Sequence, residues 1–169
     1  MVIQTANLSD IPAMLDIYTQ ARAYQIKTGQ ATYPIFTKEN LEPLIHAGEY
    51  FKIEIEGKIA VILFIIFEDL AVWDKLENNC SIYIHRIATH PDFKGRNLMR
   101  VVTDFAIDYA KKHNRQFVRM DTWNRNDRLK NYYLKFGFKE LGTRILPSNE
   151  AIHPHHWGET CVFLELPVG

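Results

Sequence analysis

Residues His90–Arg100, with the sequence HPDFKGRNLMR, place a glycine, an asparagine and three cations at a predicted junction between a strand and a helix. The N-terminus of a helix exposes about four unpaired backbone N–H groups and about half a positive charge. A basic turn at such a place binds phosphate groups. The alternative is an ordinary basic connection, because the segment lacks the Gly-Lys-Ser/Thr ending of a P-loop and the three spaced glycines of a dinucleotide fold.

Asn97 stands immediately before the predicted helix. After glycine, asparagine is the residue that best tolerates a left-handed backbone. The sequence therefore predicts a left-handed residue at this point of the turn.

A second group of residues lies further along the chain. Asn126 stands seven residues before Tyr133, and the pair Gly137-Phe138 begins four residues after that tyrosine. Tyr133 lies on the apolar face of a predicted helix, where core packing alone would explain it. Its neighbour Tyr132 lies on the same face, so the helical pattern does not choose between the two tyrosines.

Taken together, the two groups resemble the GCN5-related N-acetyltransferases. The shared region of that family is a strand, a basic Gln/Arg-x-x-Gly-x-Gly/Ala turn, a long helix, a strand, and then Asn, Tyr and Gly-Phe at the spacing found here. The resemblance is specific from about Ser81 to Leu141. Three residues depart from the family pattern: Lys94 replaces Gln or Arg, Asn97 replaces the first glycine, and the bulkier Met99 replaces the second small residue. None of them removes a backbone N–H group.

The resemblance implies a cosubstrate, acetyl-CoA, and direct transfer of its acetyl group to a primary amine of a small molecule or peptide. The pantetheine arm is expected to pair with the backbone of Ile87 and Thr89, and the pyrophosphate to lie on the turn. The implied cofactor-binding residues are Ile87, Ala88, Thr89, Lys94, Gly95, Arg96, Asn97, Leu98, Met99, Arg100 and Asn126.

The resemblance also implies two catalytic residues. Tyr133 is expected to protonate the leaving thiolate. Asp121 aligns with a carboxylate that takes the proton of the amine in some members of the family, while Glu68 and His85 are competing candidates for this base. Asp121 has an ordinary alternative as an ion-pair partner of a nearby arginine, Arg119 or Arg125, and His85 has one as a satisfied strand histidine.

Other potential ligand residues give weaker signals. His153, His155 and His156 lack a zinc spacing and a cysteine pair, so no metal is expected. With Trp157 they either line the acceptor pocket or face solvent. Cys80 and Cys161 stand in no metal or redox spacing and are expected to be reduced thiols of a cytoplasmic protein.

The elements expected around these residues follow the order β, α, α, β, β, β, α, β, α, β, β. They predict one α/β domain over residues 1–169, with a mixed, mostly antiparallel sheet of about seven strands and about four helices, as in the acetyltransferase fold. The predicted strands are Val2–Thr5, Tyr50–Glu56, Lys58–Phe67, Ser81–Thr89, Phe117–Thr122, Phe138–Leu146 and Thr160–Leu166. Helices are predicted after caps at Ser9, Thr37 and Asn126 and over Leu98–His113, and Glu68–Asn79 is predicted to be loop.

Bulk composition narrows the functional classes. The 169 residues include 20 cations and 20 anions, and a nucleic-acid binder would normally show a basic surplus. The longest apolar run, Ile59–Phe67, is far shorter than a membrane helix, and Met1–Asp10 has no signal-peptide pattern. We therefore expect neither nucleic acid nor membrane as a partner, and the sequence leaves a homodimer open. A CoA-binding module without turnover is the competing hypothesis to an enzyme.

Overall fold

The structure is a computed structural model that describes residues 3–30 and 32–169. The strands are β1 (Ile3–Thr5), β2 (Tyr50–Ile55), β3 (Lys58–Ile66), β4 (Ser81–Thr89), β5 (Phe117–Trp123), β6 (Lys139–Ile145) and β7 (Thr160–Pro167). The helices are α1 (Ile11–Lys27), α2 (Lys38–His46), α3 (Leu70–Trp73), α4 (Leu98–Lys112) and α5 (Asp127–Leu134). Val2, the first residue of the first predicted strand, lies outside the described residues.

The seven strands form one mixed sheet in the order β1-β2-β3-β4-β5-β7-β6. Strands β4 and β5 pair in parallel through Ser81–Tyr83 and Phe117–Arg119. The pairs β1–β2, β2–β3, β5–β7 and β6–β7 are antiparallel. The predicted α/β class and the mostly antiparallel seven-stranded sheet are confirmed, and the described residues hold five α-helices where about four were predicted. None of the described helices is long and apolar enough to span a membrane.

The described residues fall into two compact units. The first comprises the residues up to Ile65 together with His85–Val102, and the second comprises Ile66–Ile84 and Thr103–Gly169. In the first unit, β3 has buried side chains throughout its centre, as its unbroken apolar run predicts. The largest fully buried side chains of this unit are Met14, Ile17, Leu41, Tyr50, Ile53, Ile62, Leu63 and Ile65.

The second unit has a core built around Trp73, whose side chain is 1% exposed. Its ring lies 5.2 Å from that of Tyr83 and 4.6 Å from that of Phe163. The prediction of loop over Glu68–Asn79 is wrong here, because the segment contains α3 and a 3₁₀ turn at Asp74–Leu76. Four consecutive residues at the start of α3 are apolar, and Asp69 caps them by accepting a hydrogen bond from Val72 N–H at 3.3 Å.

The start of α1 differs from the prediction that Ser9 caps it. A 3₁₀ turn at Leu8–Asp10 precedes the helix, and Asn7 caps that turn. The Asn7 side chain accepts from Ser9 N–H at 2.9 Å, and the Asp10 side chain accepts from Asn7 N–H at 2.8 Å. This reciprocal capping box satisfies two backbone donors, whereas a Ser9 cap would satisfy one. The predicted cap of α2 at Thr37 is confirmed.

Lys52 in β2 is buried although the alternation of its strand predicts an outward side chain. Its ammonium group lies 2.7 Å from a carboxylate oxygen of Asp10 and 2.7 Å from one of Glu54. Although burial by itself lowers the pKa of Lys52, the hydrogen bonds and charges of the two carboxylates outweigh burial and raise this pKa above its usual value. A charge is tolerated at this position because it is paired on two sides.

Candidate functional site

The turn between β4 and α4 has two left-handed residues. Gly95 has φ of +80° and Asn97 has φ of +54°, so the left-handed backbone predicted for Asn97 is confirmed. The N–H groups of Phe93 and Lys94 donate to His90 and Pro91, and that of Arg100 donates to Asn97. Between them, within the described part of the chain, no hydrogen bond occupies the N–H groups of Gly95, Arg96 and Asn97. These amides remain available to an anion at the helix N-terminus.

The side chains of the turn leave its backbone exposed. The Lys94 ammonium group lies 4.0 Å from the ring centre of Tyr24, and the Arg96 guanidinium group lies 5.0 Å from that of Phe93. Met99, the bulky departure from the family pattern, has its side chain 6% exposed. Because this side chain is buried in the protein, its size does not crowd the exposed side of the turn.

Within strand β4, Arg86 has a left-handed backbone with φ of +56°. A left-handed residue with a long side chain is uncommon inside a strand and costs free energy. Two tyrosines of the same unit hold the backbone at this point: Tyr18 Oη donates to Arg86 O at 2.9 Å, and Tyr33 Oη donates to Ile87 O at 2.7 Å. Sequence reasoning missed this left-handed residue, because the segment contains no glycine or asparagine to indicate one.

Tyr33 therefore contacts the strand that is predicted to bind the pantetheine arm. Burial, followed by the neighbouring Tyr50, raises the pKa of Tyr33 above its usual value, so its hydroxyl group stays protonated and donates. The Ile87 carbonyl oxygen keeps a second lone pair. A cofactor group that donates to the Ile87 carbonyl oxygen must therefore use this second lone pair or displace Tyr33.

Helix α5 begins at the predicted cap, where Asn126 Oδ1 accepts from Leu129 N–H at 3.0 Å. No side chain of this helix is fully buried, and Leu129 and Phe136 of its predicted apolar face are half-buried. Tyr132 is exposed, and Tyr133 is half-buried with its ring centre 6.4 Å from that of Phe138. Core packing alone therefore explains Tyr133 less well than its position in the apolar pattern suggests.

The helix ends before Gly137, as predicted. Gly137 has φ of +95°, and a Cβ atom added there would meet Leu166 Cδ1 at 3.2 Å. Glycine satisfies both the backbone angle and the close approach of β7. The Gly-Phe pair of the second motif thus has a structural role that fixes the end of the tyrosine helix.

Asp121 lies in β5, half-buried, with its Oδ2 atom 3.9 Å from the thiol of Cys161. Of the two arginines considered as its partners, Arg119 contacts Glu165 at 2.7 Å and Arg125 contacts Glu159 at 2.6 Å. Burial and the two carboxylates of Asp121 and Asp69 raise the pKa of the Cys161 thiol. This thiol therefore stays protonated and acts as a weak donor rather than a nucleophile.

Sequence reasoning missed Asp69. One of its carboxylate oxygens lies within 4.8 Å of one of Asp121, whereas its neighbour Glu68, the candidate named from the sequence, is exposed. Asp69 gave a local signal, because an aspartate before four apolar residues is typical of a helix cap. The second unit therefore offers two close carboxylates as proton acceptors.

The remaining candidates lie as follows. His85 is half-buried in β4, with its ring centre 6.2 Å from that of Phe64. In the second unit, His153 and His155 are exposed and His156 packs its ring 4.8 Å from that of Trp123. Trp157 donates from Nε1 to Ile152 O at 2.8 Å. The tryptophan thus closes the loop between β6 and β7 on itself.

Three features define an acetyltransferase-type α/β fold: the order of the strands, the parallel pair β4–β5 in a mostly antiparallel sheet, and the basic turn into α4. Solved structures share it. A GNAT family acetyltransferase of Streptococcus agalactiae superposes with a TM-score of 0.78 at 21% identity, over 98% of this chain and 94% of that chain. The yncA protein of Salmonella typhimurium, solved with its cofactor acetyl-CoA, gives 0.72 at 15% identity, over 100% and 94%.

Sequence comparison gives the family. The family model described as "Acetyltransferase (GNAT) family" matches residues 12–138, and the chain belongs to that family. An uncharacterized N-acetyltransferase of Methanocaldococcus jannaschii is 37% identical over 57 residues, which are 34% of this chain and 25% of that protein. The match thus spans about a quarter of the length of this curated relative.

Proposed function

We propose that this protein is an acetyl-CoA-dependent N-acetyltransferase that acts on a primary amine of a small molecule or peptide. The observation that carries the proposal is the exposed turn at Gly95–Asn97 at the start of α4, whose successive N–H groups have no hydrogen bond among the described residues. Such a backbone arrangement suits the pyrophosphate of CoA. Membership of the GNAT family and the acetyl-CoA complex of the yncA protein support the same cosubstrate.

In this proposal the backbone of β4 beyond Arg86 holds the pantetheine arm and the thioester. Attack by the amine builds negative charge on the thioester oxygen, and an N–H group of the Ile87–Thr89 segment stabilises it. One such donor contributes roughly 3 kcal/mol to the transition state. The left-handed residue at position 86 redirects the strand at the point where this segment begins.

Three proton transfers complete the reaction. An amine with a pKa near 10 is mostly protonated at pH 7, so a base must take its proton before attack. We assign this role to Asp121, which lies half-buried in β5 with one of its carboxylate oxygens within 4.8 Å of one of Asp69. The hydroxyl group of Tyr133 then protonates the sulfur of CoA as the thioester bond breaks, and the second proton that the attacking nitrogen loses restores this hydroxyl group. Asn126 holds the start of the tyrosine helix.

The state of the two cysteines bears on the cellular compartment of the protein. Both Cys80 and Cys161 are free thiols. Free thiols are stable in a reducing compartment. We therefore propose the cytoplasm, where acetyl-CoA is also available as a substrate.

A CoA release assay tests the proposed activity. Purified protein is incubated with acetyl-CoA and a panel of amines, and free CoA is measured with a thiol reagent. The proposal expects CoA release that depends on both an amine and the protein. Binding of CoA without release above the hydrolysis background would instead show a binding module, and absence of CoA binding would refute the cosubstrate as well.

A further inference from the structure

The side chain of Arg86 lies between two aromatic rings of its own unit. Its guanidinium carbon is 5.1 Å from the ring centre of Phe36 and 4.9 Å from that of Phe64. The residue is half-buried. Contacts of this kind orient a planar guanidinium group without using its N–H donors.

The guanidinium group is not neutralised by the protein. Its Nη1 atom donates to Tyr50 Oη at 3.2 Å, and among the described residues its contacts are this neutral hydroxyl group and the two rings, with no carboxylate. An arginine side chain has five N–H donors. Most of them, and the charge, are left for a molecule from solution.

The fully buried cations Lys52 and Arg119 each have a carboxylate partner. Lys52 has carboxylates at 2.7 Å from both Asp10 and Glu54, and Arg119 has one at 2.7 Å from Glu165. A half-buried charge without an opposite charge costs free energy. Arg86 is half-buried and has no carboxylate among its contacts in the described residues, so an anion that arrives with a ligand would offset this cost.

The backbone at this residue supports a binding role. Arg86 adopts φ of +56°, and Tyr18 holds its carbonyl oxygen at 2.9 Å. Strained residues that are held by their surroundings cluster at ligand sites. Position 86 also directly precedes Ile87, the residue whose backbone is assigned to the thioester.

We propose that Arg86 binds a carboxylate group of the amine acceptor, so that the acceptor is an amine that also carries a carboxylate, as an α-amino acid does. This inference rests on the proposed function and specifies its substrate class. The planar fork of arginine matches a carboxylate with two parallel hydrogen bonds. Because Arg86 and Ile87 are adjacent, the anion and the reacting nitrogen of the acceptor are close together, which suits a short molecule. A polycationic amine is repelled by the same group.

The test uses acceptors in matched pairs that differ only in the anion: glycine, methionine and phenylalanine, each beside its amide. We expect the parent protein to favour the acids, and Arg86→Gln to lower kcat/KM for the acids by about tenfold or more while the amides change by less than about threefold. These magnitudes follow from the loss of hydrogen bonds to a charged group. The amine pKa differs between acid and amide, so the decisive quantity is the change in the acid-to-amide ratio from parent to variant, in which that difference cancels.

Arg86→Lys provides the second variant, because it keeps the charge and loses the fork. Its acid-to-amide ratio is expected to lie between those of the parent and of Arg86→Gln. A general folding defect lowers acids and amides together and leaves the ratio unchanged. An unchanged ratio in both variants would therefore overturn the proposal, as would equal losses on acids and amides.

Failure of the inference and failure of the proposed function are distinguishable. If the parent releases CoA with other amines but accepts none of the three acids, the inference is wrong and the proposed function stands. If no amine supports CoA release, calorimetric titration with the same acids and amides in the presence of CoA tests the carboxylate site, because it measures binding and needs no turnover. Acid binding at least tenfold tighter in the parent than in Arg86→Gln would support the carboxylate site, and equal or undetectable acid binding in the parent would overturn it.

Discussion

The hydroxyl group of Tyr33 donates a 2.7 Å hydrogen bond to the carbonyl oxygen of Ile87, 54 residues further along the chain. Tyr33 itself is tied to α1, because its N–H group donates to Gln25 Oε1 at 2.8 Å and its carbonyl oxygen accepts from Arg22 Nε at 3.1 Å. The segment after α1 is thereby fixed to the strand that the proposed reaction uses.

Replacement of Tyr33 by phenylalanine tests this link. A hydrogen bond between neutral groups contributes about 1 kcal/mol, so Tyr33→Phe is expected to lower the free energy of unfolding by about that amount. The Ile87 peptide is then less firmly held, and KM for acetyl-CoA is expected to rise a few-fold. The control is Tyr24→Phe, in which an exposed tyrosine of α1 loses its hydroxyl group. Its free energy of unfolding, measured with denaturant, should change by less than about 0.5 kcal/mol. Equal effects of the two changes would contradict the link.

Asn97 offers a test of the turn geometry. At φ of +54°, glycine is accommodated at least as well as asparagine, whereas a β-branched residue is strongly disfavoured. Asn97→Gly is therefore expected to keep CoA affinity and Asn97→Val to reduce it sharply. Thermal unfolding with added CoA measures this, because ligand at 100 times Kd stabilises the native state by about 2.7 kcal/mol. The same CoA-induced shift in both variants would show that the left-handed residue does not form the site.

Lys52 tests the fold independently of the chemistry. Lys52→Met leaves Asp10 buried without the ammonium group at 2.7 Å, and loss of one member of a buried pair costs about 3–5 kcal/mol. The control is Lys58→Met, at an exposed lysine of the next strand, which should change the free energy of unfolding by less than about 0.5 kcal/mol. A small loss for Lys52→Met would mean that the pair contributes little.

The pH dependence of this pair follows from the raised pKa of Lys52. A group with a raised folded pKa stabilises the native state fully below its unfolded pKa, which is about 10.4 for lysine. The contribution is lost as pH rises through the folded pKa. The stability difference between the parent and Lys52→Met is thus expected to be flat from pH 7 to 9 and to shrink above about pH 10.4.

The choice of base is tested by two isosteric changes. Asp121→Asn is expected to lower kcat/KM at pH 7 by about 100-fold or more. Without a base, transfer depends on amine already deprotonated in solution, so the variant rate should rise about tenfold per pH unit below the amine pKa. Asp69→Asn should keep most of the activity and change stability by less than about 0.5 kcal/mol, because asparagine caps a helix about as well as aspartate. A larger loss of activity in Asp69→Asn would move the role to that carboxylate.

Local signals predicted a good part of this molecule. The buried run of β3, the caps Thr37 and Asn126, and the left-handed Asn97 follow from patterns within a few residues, and the structure confirms them. The left-handed backbone at Arg86 could not be predicted, because the residues that hold it by hydrogen bonds, Tyr18 and Tyr33, are distant in sequence. Burial of Lys52 likewise depends on Asp10, 42 residues earlier. Contacts between distant segments decide these positions, and local propensity does not report them.

The most direct test of the proposed chemistry is a single-turnover measurement of acetyl transfer with Tyr133→Phe, run beside Tyr132→Phe. The change removes one hydroxyl group and keeps the ring against Phe138. General acid catalysis contributes about 10²–10⁴-fold, so Tyr133→Phe is expected to slow transfer by about two orders of magnitude while CoA affinity holds within a few-fold. The exposed Tyr132 should tolerate the same change. Near-parental transfer by Tyr133→Phe, a larger loss in Tyr132→Phe, or no amine-dependent CoA release by the parent would contradict the account.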